Sequence, residues 1–363
     1  MSGGVDSTVA AYILKKLGFD VVGLTMRMWD ASLKFPRSVR GGCFGPDEKE
    51  DLDDARAAAK KLGIPHYVVD LSGEYRKEII EYFRDEYLAG RTPNPCVKCN
   101  LKMKFGFMLD KAAHSGIRFD YFATGHYART ARDKKTGRCL LMRGTDRAKD
   151  QSYFLSQLTQ GQLKRAIFPL GAYRKTEIKK MASAAGFEKY AAKRESQDFI
   201  GGRCYDVLFK KSEIKPGDIT DISGRIVGRH RGIIYYTVGQ RRGLNIGGSA
   251  EPLFVVRIDA AKNRVVVGPK SAVFSSSLTA EGINWIAFEK PPAEISAAAK
   301  IRQQGKEFSC RIFALPGRRA GVVFDEPQAA VTPGQAIAFY RKEVVLGGGI
   351  IARTGYVRAG RKK

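Results

Sequence analysis

The sequence of 363 residues has few cysteines, few acidic residues for its number of basic ones, and no long hydrophobic segment. Six cysteines in a chain of this length are too few for a disulfide scaffold, and they indicate a reducing compartment. No apolar run approaches the roughly 18 residues that a membrane span needs, and the first residues lack the basic and apolar regions of a signal peptide. We therefore expect a cytoplasmic protein without a membrane partner.

The charge balance is the strongest signal in the composition. The chain has 63 lysines and arginines against 37 acidic residues, which gives a formal net charge of +26. A surface this positive repels itself, so we expect a polyanionic partner such as a nucleic acid, with a generally basic proteome as the alternative explanation. A hydrophobic fraction of 44% supplies enough apolar side chain for folded cores and excludes wholesale disorder.

Two kinds of secondary-structure pattern divide the chain. Up to about residue 200, strand-like runs such as 21–26 alternate with helical patterns such as 74–88, which predicts a parallel sheet covered by helices on both faces. From residue 219 onward, short β-like runs separated by glycine, proline and aspartate turns are typical of a barrel. Residues 232–238 are predicted as one of these strands, and residues 286–300 as a connection.

A glycine-rich loop at residues 2–8 leads directly into a helical pattern at 9–17. Its glycines let the backbone approach an anion, and its hydroxyl groups and the helix N-terminus supply hydrogen-bond donors. The loop lacks the lysine of a Gly-x-x-x-x-Gly-Lys motif, so it is poorly suited to transferring a γ-phosphate. We expect it to grip pyrophosphate and to favour attack at the α-phosphorus, which leaves an adenylate. An ordinary Gly-Gly turn capped by Asp6 is the alternative.

Four further motifs narrow the class of enzyme. Together with the loop they resemble the tRNA-specific 2-thiouridylases of the MnmA/TrmU type, which belong to the PP-loop ATP pyrophosphatases, and the resemblance covers residues 1–351. The motifs are TPNPCVKCN at 92–100, TGHYAR at 124–129, KDQSYFL at 149–155 and TVGQRRGL at 237–244.

The resemblance implies three domains and one reaction. It implies an α/β PP-loop catalytic domain with a parallel, adenine nucleotide α-hydrolase-like sheet at 1–200, a small central tRNA-contacting domain at 201–273 and a C-terminal β-barrel at 274–363. The implied activity is that of a tRNA-uridine 2-sulfurtransferase, which thiolates the wobble uridine of tRNA with ATP and Mg²⁺. In such folds the loop follows a central strand, so we expect either that this strand has been cut away or that the true start lies upstream of Met1.

The same resemblance implies roles for individual residues. The ATP phosphates would be held by Ser2, Gly3, Gly4, Asp6 and Ser7, and the adenosine would contact Met26 and Gly125. The positions that face tRNA are His126, Lys149, Asp150, Gln151, Arg302 and Gln335. A hydrogen-bonded turn residue is the simpler interpretation of His126, and a plain turn residue that of Gln335.

The chain departs from the commoner family pattern at two places. The loop of that pattern reads Asp-x-x-Cys, whereas this chain has Cys96 and Cys99. The family's second cysteine, which follows a Ser-Gln-(Asp/Glu) string, is replaced here by Phe199 and Ile200, and the nearest thiol is Cys204. This arrangement resembles thiolases that hold a 4Fe–4S cluster with three thiolates and leave one iron free to bind sulfide.

Other arrangements stay open at this point. A persulfide relay through Cys99 and Cys204, fed by a persulfide carrier or cysteine desulfurase, would leave Cys96 without a role. A structural zinc would take Cys43 as its fourth ligand, and an inert cysteine pair is the last alternative. Asp198 is a candidate acid or base. The competing functions are a small-molecule PP-loop ligase or amidotransferase and a tRNA-binding protein without activity.

Overall fold

A computed structural model describes residues 1–30, 42–192, 199–200, 205–247 and 251–356. The chain divides into two compact units. Unit 1 consists of Met1–Ile80, Pro95–Val207 and Lys342–Val345. Unit 2 consists of Glu81–Asn94, Leu208–Arg341 and Leu346–Lys363. In the described part of the chain no helix has the length and apolar character to cross a membrane.

Short parallel strands form the centre of unit 1. Strand β1 pairs in parallel with β2, and β3 pairs in parallel with β6, while β4 and β5 form an antiparallel hairpin. The predicted α/β class is confirmed, but within the described residues the parallel sheet consists of two separate pairs. The strands are β1 (Gly23–Arg27), β2 (His66–Asp70), β3 (Phe122–Ala123), β4 (Ala128–Arg132), β5 (Cys139–Arg143) and β6 (Ala166–Ile167).

The first helix, α1 (Val5–Lys16), packs its apolar side into the core of unit 1. Val9 is fully buried there, next to Ile178 and Ala182 of a later helix, α8. The helix ends at Leu17, and Gly18 follows with a positive φ of 84°, a backbone conformation that suits glycine. The other helices of the described chain are α2 (Glu48–Leu62), α3 (Ser72–Tyr75), α4 (Tyr82–Leu88), α5 (Pro95–Lys98), α6 (Met108–His114), α7 (Gln160–Lys164), α8 (Lys175–Ala184) and α9 (Glu188–Ala192).

Two of the predicted helices contain π-helical turns. The segment π1 (Arg76–Glu81) joins α3 to α4, and π2 (Cys99–Phe107) joins α5 to α6. A π-turn closes hydrogen bonds between residues i and i+5 rather than i and i+4, and such turns are often found at functional sites. Apolar spacing alone does not distinguish the two registers over so few residues, so the sequence predicts the helices but not the π-turns.

The central part of unit 2 is a four-stranded sheet with the order β8-β7-β10-β9. Its core includes Ile219, Val255 and Val265, all fully buried. The prediction of a strand at 232–238 is wrong, because the amide of Gly232 donates to Nδ1 of His230 at 3.1 Å and the chain turns into a 3₁₀ helix. The strands are β7 (Gly217–Asp221), β8 (Ile226–His230), β9 (Phe254–Asp259) and β10 (Arg264–Gly268).

The rest of unit 2 forms a barrel with the strand order β11-β14-β13-β12-β15-β16, closed by pairing between β11 and β16. The predicted barrel is confirmed. The prediction of a connection at 286–300 is wrong in its second half, where β12 lies; its three alanines have little β-propensity and hide the strand. The strands are β11 (Phe274–Trp285), β12 (Glu294–Lys300), β13 (Phe308–Leu315), β14 (Arg319–Ala329), β15 (Ala336–Arg341) and β16 (Val344–Thr354).

Candidate active site

The glycine-rich loop has the geometry of an anion-binding turn. Gly3 has a φ of +67°, and a Cβ at this position would lie 2.5 Å from the carbonyl oxygen of Asp51. Gly4 is the N-cap of α1 and makes no side-chain cap, so the first amides of the helix are not occupied by a capping side chain. The hydroxyls of Ser2 and Ser7 face each other at 3.1 Å. Backbone amides and hydroxyls are thus available at this loop for an anion, and the expected binding of ATP phosphates by these residues stays a prediction.

Gly125 lies directly against this loop. A Cβ at Gly125 would come within 2.9 Å of both the carbonyl carbon of Asp6 and the amide nitrogen of Ser7. Real Cβ atoms do not approach backbone so closely, so only glycine allows the segment after β3 to touch the loop. Gly125 is thus required for the close approach of this segment to the loop, and its expected contact with the adenosine stays a prediction.

A cavity of about 710 Å³ opens beside the loop in unit 1. Its lining includes loop residues Ser2 and Ser7, together with Met26 of β1, Gly125 and Lys104 of π2. Pockets for ligands of nucleotide size are commonly between about 300 and 1,000 Å³. The structure thus brings the expected phosphate and adenosine positions together around one cavity.

Asp6 is held by an ion pair. Its carboxylate accepts hydrogen bonds from Nζ of Lys175 at 2.7 and 2.8 Å and from the hydroxyl of Tyr127 at 2.8 Å. The Lys175 side chain is 9% exposed, so this cation lies almost entirely out of water. Asp6 therefore fixes the first turn of α1 against α8, and its expected contact with ATP phosphates stays a prediction.

His126 is a buried, neutral residue at the edge of the cavity. Its Nδ1 lies 2.8 Å from Oγ1 of Thr124, and its ring packs edge-on against Phe168 with centroids 6.3 Å apart. Burial, and after it the charge of Lys104, hold the pKa of His126 well below its usual range. The hydrogen-bonded interpretation of His126 is supported, and its expected contact with tRNA stays a prediction.

The next motif is engaged in contacts within unit 1. The buried carboxylate of Asp150 accepts hydrogen bonds from the amide of Gly144 at 3.0 Å and from the amide and hydroxyl of Ser152 at 3.1 and 2.9 Å. Gln151 accepts the amide proton of Tyr127 at 3.0 Å. Asp150 and Gln151 thus brace the chain around Tyr127, while Lys149 is half-buried. Their expected contacts with tRNA stay predictions.

The two remaining tRNA candidates belong to unit 2. Nε2 of Gln335 donates to the carbonyl of Pro93 at 3.4 Å, and Nδ2 of Asn94 donates to Oε1 of Gln335 at 3.5 Å. A Cβ at Gly334 would lie 2.9 Å from backbone atoms of Thr92, so this barrel turn fits tightly against residues 92–94. Arg302 is exposed. Gln335 thus supports the first half of the TPNPC loop.

Three of the cysteines lie in unit 1 within electrostatic reach of Tyr75. Cys96 and Cys99 are half-buried, and Cys43 is exposed with its Sγ 3.7 Å from the carbonyl oxygen of Phe199. Burial is the largest cause of the raised pKa of the buried Tyr75 hydroxyl, and the three thiols raise it further.

The complete three-cysteine arrangement is not tested. Cys204 and Asp198 lie outside the described residues. Within the described part, no group of three histidine, cysteine or acidic residues is arranged to hold a metal ion. The roles of Cys96, Cys99 and Cys204 as ligands therefore stay predictions.

Burial makes Cys99 a weak acid. It raises the pKa of the thiol to about 12, against a lowering influence of Lys104 and a further raising one of Cys43. At neutral pH the thiol is therefore protonated, whereas the thiolate is the nucleophilic form. Chemistry at this sulfur requires an activating partner.

Several residues of the site escape sequence reasoning. Lys175 lies 169 residues from its partner Asp6 in the chain, and no local pattern connects the two. Tyr127 lies inside the TGHYAR motif, and membership of this motif is the one feature of the sequence that indicates a role for it. Lys104 follows Cys99 by five residues, a spacing that places both on one side only in a π-turn.

Three family models match consecutive parts of the chain. Residues 1–202 match a tRNA methyl transferase HUP domain, residues 205–269 a tRNA methyl transferase PRC-barrel domain and residues 275–351 an aminomethyltransferase beta-barrel domain. The fold and the phosphate loop thus define a HUP-domain protein that carries a small central barrel domain and a C-terminal β-barrel.

Curated relatives name the family. The chain is 46% identical over 353 residues to the tRNA-specific 2-thiouridylase MnmA of Endomicrobium trichonymphae, with 97% of both chains covered. It is 49% identical over 359 residues to MnmA 2 of Thermoanaerobacter sp. (strain X514), covering 97% of this chain and 96% of the relative. A third relative, from Acetivibrio thermocellus, is 46% identical over 356 residues. The chain belongs to the tRNA-specific 2-thiouridylase family, as the motifs predict.

The contact at Gly125 predicts a selective loss of nucleotide binding. We expect Gly125→Ala to weaken ATP binding at least tenfold, because the new methyl group pushes the phosphate loop away from its place. Gly73→Ala is the matched control, since nothing lies within 4 Å of a Cβ there. Equilibrium dialysis with labelled ATP measures the effect, and equal affinities for both variants would contradict it.

The ion pair between Asp6 and Lys175 predicts a loss of stability. Lys175→Met leaves the Asp6 carboxylate, whose side chain is 30% exposed, without its cation. We expect the free energy of unfolding to fall by about 1 to 2 kcal/mol, between the values for broken exposed and broken buried pairs. The control is Lys179→Met on the same helix, where the side chain is exposed. Urea unfolding followed by circular dichroism gives both values, and a difference near zero would show that the pair contributes nothing.

The lowered pKa of His126 predicts destabilisation in mild acid. Because folding favours the neutral ring, its contribution is complete above the unfolded pKa of about 6.5 and is lost as pH falls toward the lower folded value. We expect His126→Gln to flatten the pH dependence of the melting temperature below pH about 6.5. Burial also lowers the pKa of His66, to about 4. Part of the pH dependence of the melting temperature therefore remains in the His126→Gln variant. The exposed His114→Gln should follow the wild-type profile.

Proposed function

We propose that this chain replaces the 2-position oxygen of the wobble uridine of tRNA with sulfur in an ATP-dependent reaction in the cytoplasm. The observation that carries the proposal is the cavity of unit 1, whose lining joins the phosphate loop and Gly125 to Lys104 of helix π2. The same helix begins at Cys99, so the nucleotide cavity lies beside the helix that carries this thiol. The names of the relatives, each a tRNA-specific 2-thiouridylase, support the same reaction.

ATP enters as its Mg²⁺ complex with its phosphates at the loop. Gly3 and Gly4 allow the close backbone approach, and the facing hydroxyls of Ser2 and Ser7 supply further donors. Gly125 keeps the segment after β3 against the loop, and Met26 lines the same cavity for the adenosine. Because the loop holds the β- and γ-phosphates, the α-phosphorus is left open to attack. The absence of a lysine in the loop, which makes γ-phosphate transfer unfavourable, predicts the same site of attack.

The first step makes the oxygen a leaving group. The 2-position oxygen of the uracil attacks the α-phosphorus, the bond from this phosphorus to its bridging oxygen breaks, and pyrophosphate leaves with the electron pair. The N3 proton of the base passes to water. In the second step hydrosulfide attacks C2, the bond from C2 to oxygen breaks, and AMP leaves with that electron pair. The proton of the hydrosulfide restores N3–H, so the sum is one thiolated base, AMP and pyrophosphate.

Cys99 is the residue at which sulfur reaches the base. Its protonated thiol is a poor nucleophile by itself, and coordination to a soft metal is one way to deprotonate such a group. Cys96, one turn earlier, and Cys204 complete a set of thiolates suited to a 4Fe–4S cluster, which would supply an iron with an open position for sulfide. Pro93 and Pro95 stiffen the loop that carries the first two thiols.

The charge of the chain supports tRNA as the substrate. A net charge of +26 suits a phosphate backbone, and contacts to phosphates position a protein on nucleic acid. His126 and Gln151 line the cavity, where they would meet the target base. Lys149, Asp150, Arg302 and Gln335 are the further tRNA positions that we propose.

An anaerobic assay tests the proposal with cysteine variants. The chain is incubated with unmodified tRNA, Mg²⁺-ATP and sulfide, and 2-thiouridine is measured by mass spectrometry beside released pyrophosphate. We expect Cys99→Ser to abolish thiolation and Cys139→Ser, at a half-buried position away from the site in sequence, to retain it. We expect Cys96→Ala to lose iron and activity together.

Three outcomes would contradict parts of this proposal. If Cys96→Ala contains no iron but keeps full activity, the mechanism is a persulfide relay through Cys99 and Cys204 rather than one that needs a cluster. Pyrophosphate release that does not depend on tRNA would indicate a small-molecule ligase. Tight tRNA binding with neither pyrophosphate nor thiouridine would reduce the chain to a binding protein.

A further inference from the structure

The phosphate loop of this chain lacks a cation of its own. Lys175, which reaches the loop at Asp6, is bound to that carboxylate by two hydrogen bonds and is almost fully buried. The loop itself offers hydroxyls and amides only. A polyphosphate that gains negative charge during reaction needs a positive charge nearby, and this charge must come from another element.

Two basic residues line the described cavity, Lys104 and Arg118. Arg118 is exposed and precedes β3, so it lies toward the amino end of that strand. The phosphate loop touches Gly125, which follows the carboxyl end of the same strand. Lys104 acts electrostatically on His126, which directly follows Gly125, so it is the better placed of the two to meet phosphates bound at the loop.

The helix that carries Lys104 also carries the thiol. Cys99 and Lys104 are five residues apart in π2, and the i to i+5 register places them one turn apart on the same side. In a regular α-helix the two side chains would point about 140° apart. Lys104 lines the cavity from this helix, which begins at Cys99.

The charge of Lys104 reaches His126, which lines the same cavity. Burial is the larger cause of the lowered pKa of the His126 ring, and the charge of Lys104 lowers it further. Lys104 is half-buried, and within the described chain it makes no hydrogen bond or ion pair. Its charge is thus directed at the cavity without a protein carboxylate to neutralise it.

We propose that Lys104 is a catalytic residue that binds the α-phosphate of ATP through both steps of the reaction. This inference rests on the proposed function. During adenylation Lys104 stabilises the charge on the five-coordinate α-phosphorus as the bond to pyrophosphate breaks. In the second step it stabilises the phosphate of AMP as the bond from C2 to oxygen breaks. Lys104 thus supplies the positive charge that the phosphate loop lacks, and it does so from the helix that carries Cys99.

The test compares Lys104→Met with a matched control on the same helix, Lys102→Met, whose side chain is exposed. Single-turnover release of pyrophosphate from labelled ATP is followed with tRNA in excess, and filter binding measures tRNA affinity. We expect Lys104→Met to slow pyrophosphate release about 100-fold, as the removal of one charge-stabilising donor does elsewhere. We expect unchanged tRNA affinity, partial recovery in Lys104→Arg and wild-type rates in Lys102→Met.

A thio-substitution separates contact from a structural role. ATP with sulfur in place of one α-phosphate oxygen should slow the wild-type chain in one diastereomer, and Lys104→Met should lose this discrimination. Unchanged pyrophosphate release in Lys104→Met, or loss of sulfur transfer alone, would overturn the assignment. A wild-type chain that binds ATP but releases no pyrophosphate would contradict the proposed function. In that case the affinity for ATP tests the role of Lys104. We expect Lys104→Met to weaken ATP binding about tenfold and Lys102→Met to leave it unchanged.

Discussion

The contact between Asp6 and Lys175 organises the nucleotide end of unit 1. It ties the first turn of α1 to the start of α8, and the hydroxyl of Tyr127 joins the same carboxylate from the segment between β3 and β4. With these parts held together, Gly125 meets the phosphate loop at a distance that leaves no room for a Cβ. The pair also cancels a negative charge that would otherwise repel a phosphate group. Neutralising Asp6 in this way leaves the loop itself without a free positive charge.

Local patterns predict much of the architecture. The loop at residues 2–8 and its helix are predictable because glycines, hydroxyls and an apolar helical face are adjacent in the chain. The barrel is predictable because short strands and turn residues recur. The strand at Glu294–Lys300 is missed since alanine carries little preference for extended structure, and Gly232 turns the chain by a contact with His230 that no spacing indicates.

The sequence predicts which residues belong to the candidate site better than it predicts how they are arranged. Motifs identify Gly125, His126 and Cys99, but they do not show that the histidine is buried against Phe168 or that the thiol is kept protonated by burial. Both properties depend on packing between segments distant in sequence. The same is true of Asp150, whose carboxylate is surrounded by Gly144, Ser152 and Arg143. The acidic residue of a motif can thus serve to shape a loop, as the Asp150 carboxylate does here.

The burial of Cys99 has a consequence for the chain between reactions. Peroxides and electrophiles attack thiolates far faster than thiols. A thiol whose pKa is about 12 is therefore slow to react with such reagents at neutral pH. The same desolvation that requires an activating partner for catalysis protects the residue from oxidative damage while no substrate is bound.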